Sequence, residues 1–178
     1  NENVWGKDHP HVAPSLNKLA MLYLAQNEYE KALPLNERAL AIREKALDKD
    51  HPDVAKGLNH LAEIYFAQNK YGQALPLYVR ALEIDEKAFG KKHLQAGKSL
   101  QSLARLYYFQ AEDEKALSLY ERALAIEENA LGKHHPNVGI ILINSAYCLE
   151  ALGKVKEAAA ARVRAKKIQD RIDRKSGK

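Results

Sequence analysis

The 178-residue chain is 46% apolar and 29% charged, which is typical of a folded protein and excludes a disordered chain. A single cysteine, Cys148, excludes a disulfide framework, and no apolar run approaches the roughly 18 residues of a membrane span. The net charge of +5 lies at the carboxyl end, where residues 162–178 hold eight Lys or Arg against two Asp, which argues against a nucleic-acid groove along the whole chain. With no secretory signal pattern, we expect a cytoplasmic protein that does not bind membranes.

Near the start of the chain, residues 4–10 read VWGKDHP and resemble ALGKHHP at residues 130–136. Histidines recur at intervals of 42 residues, at His9, His51, His93 and His135. Residues 9–50 and 51–92 are identical at 25 of 42 positions. We therefore predict a single repeat array over residues 1–178, with repeats 1 to 4 over residues 9–50, 51–92, 93–134 and 135–178.

The two ends of this array are expected to differ from its body. We interpret residues 1–8 as the remnant of a preceding repeat, in which Trp5 stands where Leu131 stands later. The open N-terminal end that this implies is a candidate surface for self-association. In residues 162–178, charge replaces the apolar outer stripe of the earlier repeats, which predicts a polar and basic cap.

Each repeat contains two helical patterns, so the sequence predicts eight helices. In repeat 1 the first helix is expected over about residues 10 to 26, and its apolar face consists of Leu16, Leu19, Ala20 and Tyr23. The second is expected over about residues 28 to 47, and its stripe consists of Ala32, Leu35, Ala39 and Ile42. Gly90 and Gly132 stand where a helix of this kind ends in a left-handed residue.

Three alanine positions recur in all four repeats and predict close contacts between helix backbones. They are Ala20, Ala62, Ala104 and Ala146; Ala32, Ala74, Ala116 and Ala158; and Ala39, Ala81, Ala123 and Ala165. With the segments LNKLAMLY, YEKAL and RAL, this order resembles the tetratricopeptide repeat (TPR) family, in the 42-residue variety of kinesin light chains and many bacterial proteins. The resemblance implies an all-α, right-handed superhelical solenoid of four helix-turn-helix repeats, whose concave face is lined by the first helices.

The expected concave face carries amide, basic and aromatic side chains that suit an extended peptide. The candidate peptide-binding residues are Asn17, Lys56, Asn59, Glu63, Phe66, Lys98, Gln101, Arg105 and Tyr108. Asn17 and Asn59 match asparagines that hold peptide ligands in the related family, whereas Ile143 departs from that pattern. The basic members make an acidic ligand a candidate.

Other periodic residues are interpreted as structural. The histidines recur once per repeat, too far apart to converge on one metal ion, so we interpret them as turn residues at the repeat junctions. Each repeat has an arginine at the same position and an acidic residue six positions later, which predicts a ladder of structural ion pairs. The arginines are Arg38, Arg80, Arg122 and Arg164. Cys148 is expected to be a core residue, since Leu22, Ile64 and Leu106 share its position.

The leading hypothesis is a non-catalytic protein-interaction module that binds a peptide or partner segment in the concave groove. The alternative is an architectural, self-association or regulatory segment of a larger multidomain protein, including a bacterial protein that also carries an enzyme. No phosphate loop, triad signature or metal set is present in the sequence, so we expect neither an enzyme nor a cofactor.

Overall fold

The computed structural model describes residues 9–175, so the prediction for residues 1–8, including Trp5, lies outside the described residues. Residues 9–175 form eight helices and no strand. The helices are α1 (Val12–Ala25), α2 (Tyr29–Ala46), α3 (Pro52–Ala67), α4 (Tyr71–Phe89), α5 (Leu94–Phe109), α6 (Asp113–Leu131), α7 (Pro136–Ala151) and α8 (Val155–Lys175). The predicted all-α fold of helix pairs is confirmed.

The chain divides into two compact units, with the boundary between Ala88 and Phe89. Unit 1 contains α1 to α4 apart from the last residue of α4, and unit 2 contains α5 to α8. In unit 1, α1 packs against α2, and α2 packs against α3. In unit 2, α5 packs against α6, α6 against α7, and α7 against α8.

The periodic histidines begin the first helices of repeats 2 to 4. In each case the Nδ1 atom accepts a hydrogen bond from the backbone N–H two residues later, as an N-cap side chain does. The donors are Asp53 for His51 at 3.1 Å, Gln95 for His93 at 3.1 Å, and Asn137 for His135 at 3.2 Å. The interpretation as junction residues is confirmed.

Tight turns join the helices, and the backbone enters the region of positive φ at the same place in each repeat. Within the pairs these residues are Asn27 and Asn69, both at +59°, Ala111 at +58° and Gly153 at +72°. Between repeats, the predicted glycine stops are confirmed, since Gly90 has a φ of +92° and Gly132 a φ of +87°. Among the residues of positive φ in residues 9–175, Ala111 alone is neither glycine nor asparagine. It therefore has a β-carbon in a strained conformation and no polar side chain that could compensate.

The core of unit 1 follows the predicted small and large positions. Ala20, Ala32 and Ala39 are fully buried. One apolar cluster joins α1 to α2, and a second joins α2, α3 and α4, with Leu40 of α2 packed against Val54 and Leu58 of α3. An ion pair also connects α4 to α2, with Arg80 Nη1 2.7 Å from Glu44 Oε1. The arginine thus pairs with the preceding repeat.

Unit 2 repeats this arrangement in α6, α7 and α8. Leu124 of α6 packs against the cluster that contains Val138 and Leu142 of α7. Arg164 of α8 pairs with Glu128 of α6, the same connection as between Arg80 and Glu44, so the predicted ion pairing is confirmed for these two arginines. Cys148 is buried, and burial raises the pKa of its thiol to about 11, as expected for an unreactive core cysteine.

The predicted core position of Leu22 is wrong. Its side chain is 62% exposed, although Ile64 and Cys148 at the same position of later repeats are fully buried. Leu19 on the same helix is 41% exposed, whereas the equivalent Leu61 belongs to the cluster that packs on α2. The physical reason is that, among residues 9–175, no helix precedes α1 to cover this face.

Candidate functional site

Unit 1 contains a cavity of about 620 Å³ between its first helices, α1 and α3. Its lining comes from three helices and combines apolar, amide and basic side chains. The lining residues are Pro14, Asn17, Lys18, Met21, Leu22, Arg43, Lys56 and His60. We refer to this space as the unit 1 cavity.

A hydrogen bond between side chains of α1 and α3 forms part of the cavity wall. Asn17 Nδ2 lies 2.6 Å from His60 Nδ1, and Asn17 is only 4% exposed. Burial, together with the positive charge of Arg43, lowers the pKa of His60. A neutral imidazole can accept from the Asn17 amide through Nδ1, so the two observations agree. This leaves the Asn17 Oδ1 atom buried and without a hydrogen-bond partner among the described residues.

Arg43 brings a partly buried cation to the same cavity. Its Nη1 atom is buried and has no hydrogen-bond partner in the described part of the chain. Burial lowers the pKa of Arg43, against the opposing effect of Asp53. The guanidinium fits here because residue 57 is glycine: a β-carbon on Gly57 would lie 3.2 Å from Nη1 and 3.0 Å from Leu40 Cδ1.

Two exposed lysines add positive charge at the opening. Lys56 on α3 pairs with Asp53, with 2.8 Å between Nζ and Oδ1, and this hydrogen bond lowers the pKa of Asp53. Lys18 lies on α1. Among residues 9–175, none of the lining side chains is acidic and three are basic, a composition that favours an anionic group.

The other candidates in unit 1 lie further along α3. Asn59 is half-buried. Glu63 accepts a hydrogen bond of 2.8 Å from the hydroxyl of Tyr78, so its carboxylate is held by α4. The ring of Phe66 contacts Tyr71, with 5.5 Å between centroids. The structure therefore brings Asn17 and Lys56 together in the cavity and gives Glu63 and Phe66 intramolecular partners.

Four sequence candidates lie in unit 2, where an aromatic cavity forms. Lys98 is exposed on α5, and Gln101 donates from Nε2 to Oε1 of the buried Glu127 at 3.3 Å. Arg105 and Tyr108 line a cavity of about 280 Å³. The other lining residues are Phe109, Tyr120, Asn144 and Tyr147.

Sequence reasoning missed Arg43, His60 and Lys18. Arg43 was overlooked because only the first helices were searched for groove residues, whereas it reaches the cavity from α2. Its position in later repeats is occupied by Asp85, Glu127 and Gln169, and both acids are buried. The signal that could have identified Arg43 is that one position of the second helix holds a charged or amide residue in all four repeats.

The repeat geometry agrees with comparisons to known proteins. The family model named tetratricopeptide repeat matches residues 2–45, 12–87, 53–129 and 113–169. The chain belongs to the tetratricopeptide repeat family. No curated protein matches it.

Solved structures place this TPR chain among kinesin-light-chain-like proteins. BtubC (BKLC) from P. vanneervenii is 29% identical with a TM-score of 0.84, over 92% of this chain and 66% of that chain. A putative kinesin light chain with nearly identical TPR-like repeats from Podosopora anserina is 27% identical with a TM-score of 0.78, over 97% of this chain and 82% of that chain. The apo form of RapI is 19% identical with a TM-score of 0.82, over 95% of this chain and 60% of that chain. At this identity the similarity is one of fold alone.

These comparisons confirm the family and the helical-repeat fold. TPR repeats indicate a scaffold for protein–protein interaction, and arrays of this family are generally non-catalytic. Among residues 9–175, no helix combines the length and apolar content that a bilayer crossing needs.

Proposed function

We propose that this TPR chain binds an acidic peptide segment of a partner protein in the unit 1 cavity. The observation that carries the proposal is the Nη1 atom of Arg43, which is buried without a hydrogen-bond partner among residues 9–175, in a cavity whose described lining is otherwise basic, amide or apolar. A carboxylate is the group that compensates such a cation best, because it accepts charge-assisted hydrogen bonds. The peptide chemistry of the proposal follows from the neighbouring groups.

An extended peptide offers a partner for each remaining feature of the cavity. A backbone N–H of the ligand donates to the buried Oδ1 of Asn17. Lys18 and Lys56 attract further acidic side chains of the ligand at the opening of the cavity. Exposed charges of this kind raise the association rate and the specificity of binding. Met21 and the exposed Leu22 supply an apolar surface for an aliphatic residue.

The same lining supports binding without catalysis. The lining side chains that belong to the described part of the chain include no hydroxyl, thiol or carboxylate group, so they supply neither a nucleophile nor an acid–base pair. Its one imidazole, His60, is hydrogen-bonded to Asn17.

The test is selection of displayed random peptides on the chain, followed by fluorescence anisotropy of the enriched peptides. We expect enrichment of sequences with Asp or Glu beside an aliphatic residue. Arg43→Gln and Lys56→Gln together are expected to weaken binding by about tenfold or more. Lys45→Gln is the matched control, because Lys45 is an exposed lysine of α2 outside the cavity lining.

Two outcomes would contradict the proposal. One is the enrichment of neutral or basic peptides, and the other is undiminished binding of an acidic peptide to the doubly substituted chain. The candidates in unit 2, Lys98, Gln101, Arg105 and Tyr108, remain predicted contacts of a ligand, with the 280 Å³ aromatic cavity as the place for an apolar side chain. The architectural and regulatory alternatives and the cytoplasmic location remain predictions.

A further inference from the structure

The last helix pair, α7 and α8, has an apolar groove that the peptide proposal does not use. Its volume is about 460 Å³, and we call it the α7–α8 groove. Along α7 its wall is formed by three large apolar side chains that are substantially exposed: Ile140 at 54%, Ile143 at 39% and Tyr147 at 44%. Along α8 it is formed by Ala165, Ile168 and Ile172.

The repeats themselves show what kind of element fits such a face. In unit 1, the equivalent side of repeat 1 receives the helix α3: Leu40 packs on Val54 and Leu58, and Asn17, the counterpart of Ile143, contacts His60. In unit 2, the equivalent side of repeat 3 receives α7, which packs on Leu124. The shape of the α7–α8 groove therefore suits a helix rather than an extended strand.

The charge of the groove distinguishes its occupant from another repeat of this chain. In repeats 1 and 3, Leu40 and Leu124 pack against the apolar face of the next helix. The equivalent residue in repeat 4 is Lys166. Lys166 is exposed and lines the groove. A fifth repeat or a second copy of α1 would set Val12 and Leu16 against this ammonium group, whereas a helix with an acidic residue there would pair with it.

Neighbouring groups extend the positive potential beyond Lys166. His134, Lys167, Arg171 and Arg174 line an adjacent cavity on the same helix pair. Arg162 has a different role: it binds both carboxylate oxygens of Glu150, at 3.0 and 2.7 Å, and lies 4.7 Å from the centroid of the Tyr147 ring. This arrangement fixes the aromatic end of the groove and leaves Lys166 as its charged flank.

We propose that the α7–α8 groove binds an amphipathic helix of a partner protein, one that carries acidic residues beside its apolar stripe. The apolar stripe lies on Ile140, Ile143 and Ile172, and an acidic side chain pairs with Lys166. This site belongs to unit 2 and is separate from the unit 1 cavity.

The probe is a 16-residue alanine-based peptide, as long as α7, with leucine at helical spacing and glutamate flanking the leucines. Three matched peptides accompany it: a twin with lysine for glutamate, a scrambled twin without the stripe, and a twin with a central proline. Binding is measured by fluorescence anisotropy on the intact chain. We expect the acidic helix to bind and the scrambled and proline twins to bind at least about tenfold more weakly.

Substitutions in the chain locate the site. Lys166→Glu is expected to weaken the acidic helix by about tenfold and to strengthen the lysine twin, and Ile143→Glu to abolish binding. Lys156→Glu is the matched control, an exposed lysine of α8 outside the groove. Circular dichroism checks that each variant folds, and Lys166→Glu alone decides the question if Ile143→Glu does not fold.

Other results would overturn the inference. Equal binding of the proline or lysine twin would exclude an acidic helix as the occupant. Tighter binding of single-stranded DNA or anionic vesicles, lost in Lys166→Glu, would assign the charge to another class of ligand. Concentration-dependent assembly in sedimentation, lost in Ile143→Glu, would identify a second copy. If binding of the probe peptide is weakened by Arg43→Gln and not by Lys166→Glu, the peptide occupies the unit 1 cavity. That result would overturn the inference about the α7–α8 groove and leave the proposed function standing.

Discussion

Asn17 and His60 join the first helices of repeats 1 and 2 through a side-chain hydrogen bond of 2.6 Å at the wall of a basic cavity. With the Asn17 amide nitrogen facing Nδ1, the imidazole must accept the hydrogen bond, which only a neutral ring can do, because a protonated ring carries a hydrogen on both nitrogens. The contact therefore links the protonation of one side chain to the stability of unit 1.

Lowering the pH is expected to destabilise the chain through His60. Its folded-state pKa lies below the ordinary value of 6.5, so the unfolded chain binds the proton more readily. The free energy of unfolding should fall as the pH drops below 6.5, and the full loss is reached only below the folded-state pKa. Urea unfolding across this pH range measures the slope, and His60→Gln should reduce it. An unchanged slope in that variant would refute the assignment.

Replacing Arg43 by methionine should separate stability from binding. Arg43 places in the cavity a buried nitrogen that no group of the described chain pairs with, so an apolar side chain of similar length removes a desolvated charge. We expect the free energy of unfolding to stay the same or to rise, while affinity for the selected acidic peptides falls by about tenfold or more. Thermal unfolding and anisotropy on the same sample measure both. A clear loss of stability would show that Arg43 has a structural role instead.

Ala111 is expected to gain stability from substitution by asparagine or glycine. It has a φ of +58°, where a β-carbon is strained, and the same turn in repeats 1 and 2 uses Asn27 and Asn69. The expected gain is about 0.5 to 1 kcal/mol, measured by chemical unfolding. Ala88→Asn and Ala88→Gly are the controls, at an exposed helical alanine where neither should stabilise. A loss at Ala111 would mean that the turn differs in solution.

Enlarging Ala62 to leucine should overpack unit 1. Ala62 is fully buried on α3 at one of the recurring alanine positions, so three extra carbons have no space. We expect a loss of about 1 to 3 kcal/mol in the free energy of unfolding. Ala46→Leu, at an exposed alanine of α2, is the size-matched control and should change little. Equal effects at both positions would remove the argument for close helix contact.

The sequence predicted the fold well because its strongest signals are local and repeated. Alanine at three fixed positions permits close helix packing in each repeat, and the residues at those positions are buried as expected, Ala39 and Ala81 among them. The histidines at the junctions were recognised as structural, and their N-cap hydrogen bonds explain the spacing. These features need no knowledge of distant neighbours.

The candidate site was less predictable because it depends on which helices meet. Arg43 reaches the cavity from a second helix only because Gly57 leaves room for it. Leu22 occupies a core position by its spacing, yet it is exposed because no described helix covers that side of α1. Spacing along one helix cannot supply either fact.

One position of the repeat holds Arg43, Asp85, Glu127 and Gln169 in turn, the two acids fully buried and Gln169 exposed, while the recurring alanines stay the same. The repeats thus keep the same small residues at their helix contacts while the chemistry at this one position changes from a cation to an anion and to an amide. In repeat 1 this residue faces the unit 1 cavity, whereas in repeat 3 the carboxylate of Glu127 is engaged by Gln101 and Asn137, so one position can serve ligand recognition in one repeat and internal cohesion in another.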